Sequence, residues 1–335
     1  MRKYLLMSLL TLYSFILLAF AENLSANLYS YYGTEYFPEK EKYNYQQKDL
    51  FKFGSRFNLP YQNKLSIMLS YSHNYLQEAI RLDSLQLKHD WQNTNVSFQI
   101  YNKKIGTSSY LRNLDVTDPL YDKGILENYR FSGVAWCGKL PKLTITAELG
   151  GNEFNSVLST TAISYRNANY LGKLNLLYAG RSNFNNQKSI FIWLENNYST
   201  SILSLYLAAG YEDFMESSHF SHSSRSQLYL ETLFPIRSHL QVAASYKNEN
   251  NNRFAISYKD NYTIAAGWED DIFKQNLIFS YTKTPLYNQR KLTNISGVAI
   301  SPNWNLALNL SYYHPSVGNS YYTAGLQTEW SYYAH

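Results

Sequence analysis

Trp304-Asn305-Leu306-Ala307-Leu308-Asn309-Leu310-Ser311-Tyr312 decides the fold class. Trp304, Leu306, Leu308, Leu310 and Tyr312 fall on one phase, and Asn305, Ala307, Asn309 and Ser311 fall on the other. Successive side chains of a strand point to opposite faces, so such a stretch is a strand with one apolar and one polar face. Its two aromatic ends are informative as well. Rings with an apolar body and a polar tip settle at the boundary between hydrocarbon and water.

The same pattern recurs along the chain. Phe51, Phe53, Phe57 and Leu59 interleave with Lys52, Gly54, Arg56 and Asn58. Leu65, Ile67, Leu69 and Tyr71 interleave with Ser66, Met68 and Ser70, and Leu143, Ile145, Ala147 and Leu149 with Thr144, Thr146 and Glu148. These runs approach the length of about 9–11 residues that a tilted strand needs to cross an outer membrane. The connections form two classes. Pro60 to Lys64, Gly138 to Lys142, Pro235 to Ser238 and Pro302-Asn303 are tight. Pro38 to Lys48, Gly106 to Glu127, Ser182 to Lys188, Glu212 to Ser221 and Pro315 to Asn319 are longer and polar. Membrane barrels make this division, with short turns inside and long loops outside. Nineteen strand-like segments can be marked on the sequence. A closed barrel with both ends on one side needs an even number. The expectation is therefore about 18 strands within a range of 16–20, with the surplus lying between Asn248 and Leu292, where Asn248 to Asn252 reads as a turn.

Composition agrees with an antiparallel, up-and-down transmembrane β-barrel. The 335 residues include 33 Tyr, and 17% are aromatic while only 16% are charged. Mean hydropathy is −0.39, which excludes a bundle of apolar membrane helices. Alternating faces cancel in such an average, so a barrel remains compatible. The net charge of +5 comes without a basic cluster and does not point to nucleic acid. A single cysteine, Cys137, supports neither a disulfide framework nor a metal site.

At the N-terminus, Arg2 and Lys3 precede an apolar run from Leu5 to Phe20, and Ala19-Phe20-Ala21 places small residues where a signal peptidase reads. Residues 1–21 are thus expected to be a cleaved signal peptide and residues 22–335 the barrel.

With its period-two strands, aromatic segment ends and two turn classes, the mature chain resembles bacterial outer-membrane porin-like β-barrels. The likeness extends to the last strand, Tyr321 to Tyr333, where Leu326, Trp330 and Tyr332 fit the apolar face; Ala334-His335 overruns the usual aromatic end. A plug domain, a Gly-rich hatch and a soluble C-terminal domain are not expected. The resemblance implies residence in the outer membrane of a diderm bacterium and passive diffusion of small hydrophilic solutes. It also implies contact with outer-membrane lipid and lipopolysaccharide, dependence on barrel-assembly machinery, and room for a homo-oligomer. In such barrels the third outer loop narrows the pore; here that position falls on Gly106 to Glu127, with Arg112, Asp115, Asp118, Asp122 and Glu127 as constriction candidates. Polar-phase Lys52, Arg56, Lys88, Arg130, Arg166 and Lys173 are candidates for a basic lumen wall. Carboxylates facing such a wall would set up a field across the lumen.

Two other readings stay open. The barrel could be filled by its own side chains and act structurally or adhesively through its outer loops. Alternatively, His219-Phe220-Ser221-His222-Ser223-Ser224-Arg225-Ser226 places His222 and Ser224 on the phase of Leu228 and Leu230, as in lipid hydrolases of the outer membrane. The Asn-Gly that follows the serine in the phospholipase pattern is Arg225-Ser226 here, and no orienting partner is evident. No catalytic residue, metal ligand or cofactor is assigned.

Overall fold

The computed structural model describes residues 23–38, 42–74, 77–105, 126–151, 157–180, 187–216, 222–251 and 258–334. Eighteen strands run in chain order: β1 (Asn23–Phe37), β2 (Lys42–Leu59), β3 (Asn63–Asn74), β4 (Gln77–Trp91), β5 (Thr94–Ile105) and β6 (Leu126–Lys139). Then follow β7 (Leu143–Gly151), β8 (Val157–Arg166), β9 (Tyr170–Ala179), β10 (Gln187–Ser199), β11 (Ser204–Glu216) and β12 (His222–Pro235). The last six are β13 (Leu240–Asn251), β14 (Tyr258–Glu269), β15 (Phe273–Lys283), β16 (Asn288–Ser301), β17 (Trp304–Pro315) and β18 (Tyr321–Ala334). Each strand pairs antiparallel with its neighbours in sequence, and β1 also pairs with β18, from Leu24 opposite Ala334 to Tyr36 opposite Tyr322. The sheet is closed, so no edge strand offers unpaired backbone to hydrocarbon.

Closure gives every strand an inner and an outer face. On β17, Leu308 and Leu310 are outward and exposed, while Asn309 and Ser311 are inward and buried. The outward phase carries an apolar band, continued by Phe98, Val134, Leu149, Leu176, Ile192, Leu207, Leu230, Ile264 and Phe279. Water would not tolerate so wide an apolar surface, and lipid would. Aromatics border the band at both rims. Five of the six tryptophans (Trp91, Trp136, Trp268, Trp304 and Trp330) lie outward near the tight-turn end. Tyrosines Tyr36, Tyr262, Tyr281, Tyr312 and Tyr322 form the other rim.

Several details differ from the sequence expectations. The nineteenth segment does not exist among the described residues: Asn248 to Asn251 continue β13, paired with Leu228 to Arg225 of β12, and do not form a turn. Likewise β2 begins at Lys42, inside the stretch read as a loop, and β11 runs on to Glu216. The physical reason is shared. Strand ends that project beyond the hydrocarbon are wet on both faces, so they keep their ladder while losing apolar alternation. A further break in alternation, Leu82-Asp83-Ser84-Leu85, is a bulge: Leu69 pairs with Leu82 and Met68 with Ser84, leaving Asp83 as the extra residue. The bulge lets Leu82 and Leu85 both stay on the outward phase.

Candidate functional site

The inner wall is built from the other phase of each strand, and two of its arcs carry opposite charge. On β2 to β4 the inward phase holds Lys52, Arg56, Lys64 and Lys88. On β10 to β13 it holds Glu195, Glu212, Glu231 and Glu249. In a ring of eighteen strands the partner nine positions away lies across the lumen, so β2 faces β11, β3 faces β12 and β4 faces β13. The basic and acidic arcs are therefore diametrically opposed.

Glu195, Glu212 and Glu231 are set deep in their wall, and Glu249 is half-buried. Glu212 is 1% exposed and accepts a 2.7 Å bond from Arg225 on the neighbouring strand. Glu195 accepts the indole N–H of Trp193 at 2.7 Å, and Glu231 the hydroxyl of Tyr229 at 2.6 Å. Glu249 pairs with Lys247 at 2.6 Å and accepts from Gln227 at 3.0 Å. On β7, Glu148 accepts from Tyr101 at 2.6 Å and Thr160 at 2.5 Å. Each carboxylate thus meets hydrogen-bond donors within its own wall, as buried polar groups require. These glutamates were missed by sequence reasoning, which sought the acids in a loop. Their signal was present: Gln227, Tyr229 and Glu231 alternate with Leu228 and Leu230.

An apolar patch adjoins the acidic arc inside the barrel, which the sequence reading had not foreseen. Phe131, Leu158, Leu177, Phe191, Trp193, Tyr206, Ala208 and Tyr229 form one buried cluster. Phe191 and Trp193 stack with ring centroids 6.2 Å apart, and Trp193 lies over Gly210, its cross-strand partner. A Cβ at that glycine would collide with the indole ring.

The predicted residues distribute as follows. Lys52 and Arg56 of β2, Lys88 of β4, Arg166 of β8 and Lys173 of β9 take inward positions. Lys88 is tied to Asp90 at 2.5 Å, and Asp90 also meets Lys64 at 3.1 Å. Lys173 stands opposite Glu195 in the ladder. Arg130 is placed only as a backbone position of β6, paired with Asn102 and alternating with inward Phe131. Arg112, Asp115, Asp118 and Asp122 lie outside the described residues, and Glu127 is placed only as a backbone position in β6. His219 and Ser221 are also outside them, while Ser224 pairs with Asp213 on the outward phase of β12. Among the described residues no group of three or more His, Cys, Asp or Glu could hold a metal ion.

No family model matches this sequence, and no curated protein matches it. Solved structures do. Pseudomonas aeruginosa OccK11 (OpdR) superposes with a TM-score of 0.64 at 10% identity, over 94% of this chain and 98% of that chain. P. aeruginosa OccK3 (OpdO) gives 0.65 at 11%, over 93% and 96%. P. aeruginosa OpdK, solved with vanillate, gives 0.64 at 12%, over 94% and 100%. OpdK is described as an outer membrane protein. At this identity the likeness is one of fold, and the fold is that of a porin-like β-barrel.

Proposed function

We propose that this chain is an outer-membrane channel for passive diffusion of small hydrophilic solutes. The observation that carries the reading is the pair of opposed arcs, Lys52, Arg56, Lys64 and Lys88 across from Glu195, Glu212, Glu231 and Glu249. A barrel of eighteen strands encloses an aqueous lumen. Charge of opposite sign on facing walls orients dipolar solutes and screens ions by sign. In this reading residues 1–21 are an export signal and Gly106 to Glu127 narrows the lumen, with Asp115, Asp118 and Asp122 adding to the acidic side. The leader's charged start and Ala-x-Ala site support the first part. The attachment of the loop to β5 and β6, beside half-buried Tyr101 and buried Phe131, supports the second.

Planar-bilayer recording on the purified, folded barrel tests the proposal. Stepwise conductance is expected, and its absence would sink the channel. Replacing Asp115, Asp118 and Asp122 by Asn should alter conductance or ion selectivity if the loop narrows the pore. A second reading, a closed barrel with a structural or adhesive role, draws on the inward apolar cluster around Trp193. The same recordings separate the two, because a closed barrel passes no current.

A further inference from the structure

The outward face of β15 to β17 carries two cations at its loop end. Along β16, Arg290 shares the outward phase of Leu292 and is exposed. In the ladder it stands between Tyr281 of β15 and His314 of β17. Lys283 lies one diagonal step away, two residues beyond Tyr281 on the same outward phase, and is also exposed. Neither Arg290 nor Lys283 forms an ion pair among the described residues. The nearest carboxylate on this face, Asp260 opposite Lys283, is held by the Tyr246 hydroxyl at 3.0 Å and the Asn248 amide at 2.7 Å.

Directly beneath these cations, toward the middle of the band, is a groove of about 350 Å³ whose lining includes Leu277, Leu292, Leu310, Tyr312, Tyr322 and Ala324, with Asn294 as a polar member. Ala324 makes its floor, opposite Leu310 in the ladder. Arg290 is level with Tyr281 of the rim and Lys283 lies two residues beyond it toward the loops, while the groove runs from Tyr312 and Tyr322 of the rim into the hydrocarbon side. This order, cation then aromatic rim then apolar slot, matches an amphiphile standing upright in the outer leaflet.

We propose that this face binds a phosphorylated, multiply acylated glycolipid of the outer leaflet, of the lipid A type. Arg290 and Lys283 take the phosphate, His314 stands beside it, and one acyl chain fills the groove. Charge complementarity selects the anionic head, since a guanidinium and an ammonium at headgroup depth favour phosphate oxygens. Burial of a chain in the groove adds the apolar contribution. The inference rests on the outer-membrane reading, which sets the loop end in the outer leaflet.

The test uses the full barrel, folded and stripped of lipid in detergent, with hexa-acylated diphosphoryl lipid A as probe. Dephosphorylated lipid A and phosphatidylglycerol serve as comparison lipids. Bound lipid is counted by native mass spectrometry, and heat-modifiable gel mobility confirms folding. The parent barrel is expected to retain diphosphoryl lipid A. The Arg290→Gln/Lys283→Gln pair should weaken retention about thirtyfold, as expected for two basic residues at an anionic lipid surface. Ala324→Phe, which fills the groove and leaves the cations, should weaken it too. Arg237→Gln/Lys142→Gln, at the turn end, should leave it unchanged. Unchanged retention in the first pair, or equal retention of the dephosphorylated lipid, would overturn the phosphate site. Equal retention of phosphatidylglycerol would overturn the assignment to the glycolipid. Conductance recorded on the same variants keeps the two readings apart. Lost lipid with normal current supports the site, whereas absent current with retained lipid strikes only at the channel.

Discussion

At the scale of single residues, the outward face shows what each environment demands of its side chains. Asn294 lies on the outward phase of β16, between Leu277 and Leu310 in one ladder row. Its Oδ1 is buried without a hydrogen-bond partner. Hydrocarbon supplies no donor, so an unmet amide oxygen there is costly. Asn294→Leu restores the residue type of its row neighbours and should stabilise the barrel by about 1–2 kcal/mol. A higher denaturant midpoint with an unchanged slope is the expected signature in equilibrium unfolding. Phosphate capture by Arg290 and Lys283 should survive the change, because Asn294 lines the acyl-chain groove below the headgroup level and leucine keeps that groove apolar. The turn residues have their own strain. Tyr61 and Gln62 both adopt positive φ, 59° and 61°, in the tight link between β2 and β3. Most residues with a Cβ resist that region; Gly has none, and Asn tolerates it through its short polar side chain.

At the scale of elements, the β10–β11 pair shows how the inner wall is packed. Trp193 spreads its ring across Gly210, stacks on Phe191 and donates to Glu195. The aromatic covers a position that lacks a side chain of its own, a device that compensates for glycine in a sheet. Gly210→Val should force the indole off this position, at a cost of about 1–3 kcal/mol from overpacking. A lowered unfolding midpoint would register it, and an unshifted midpoint would show that the ring moves freely. The β14–β15 turn gives a second element-scale expectation, outside the membrane. Asp270 accepts the backbone N–H of Phe273 at 2.6 Å and of Ile272 at 2.9 Å, and these bonds, with the Phe273 bond foremost, hold its carboxyl below its ordinary value of 3.8. A folded-state value that is depressed gives stability above the unfolded value, and this stability is lost as pH falls through the folded one. The turn should therefore remain ordered at mildly acidic pH and loosen only below the ordinary carboxylate range. A carboxyl-carbon NMR titration of Asp270 with its midpoint at or above 3.8 would contradict this.

Elements also show which parts of the fold can be read from a sequence. β17 is legible because both its faces are under constraint, lipid on one side and packed polar groups on the other. Lys42 to Lys48 and Asn248 to Asn251 are not, because above the membrane neither face demands apolar residues. Phe191-Ile192-Trp193-Leu194 is ambiguous for the opposite reason: it is apolar on both phases, and only its pairing shows that Phe191 and Trp193 point inward. The basic arc is legible because Lys52, Arg56 and Lys88 follow their strands' polar phase. The acidic arc is harder to see. Nothing local distinguishes Glu231 from a solvated surface glutamate until closure sets β12 across from β3.

At the scale of the whole molecule, closure turns two unremarkable strips of charge into a field. Four cations on β2 to β4 and four carboxylates on β10 to β13 would lie far apart in an open sheet. Across an eighteen-strand ring they face each other through the lumen. Arg225 and Lys247 neutralise part of the acidic arc locally, through Glu212 and Glu249. Glu195 and Glu231 belong to the same arc and accept from Trp193 and Tyr229. Changing both to Gln keeps the shape and removes two negative charges, so the reversal potential in a salt gradient should move toward anion preference. Changing Lys52 and Arg56 to Gln should move it the other way. Opposite displacements are the diagnostic, because a general loss of folding lowers the number of channels without altering their selectivity. The effect should also shrink as salt rises from about 0.1 M to 1 M, where the screening length falls from about 10 Å to about 3 Å. If both pairs of changes displace the potential in the same direction, or neither does at low salt, the opposed arcs do not govern passage.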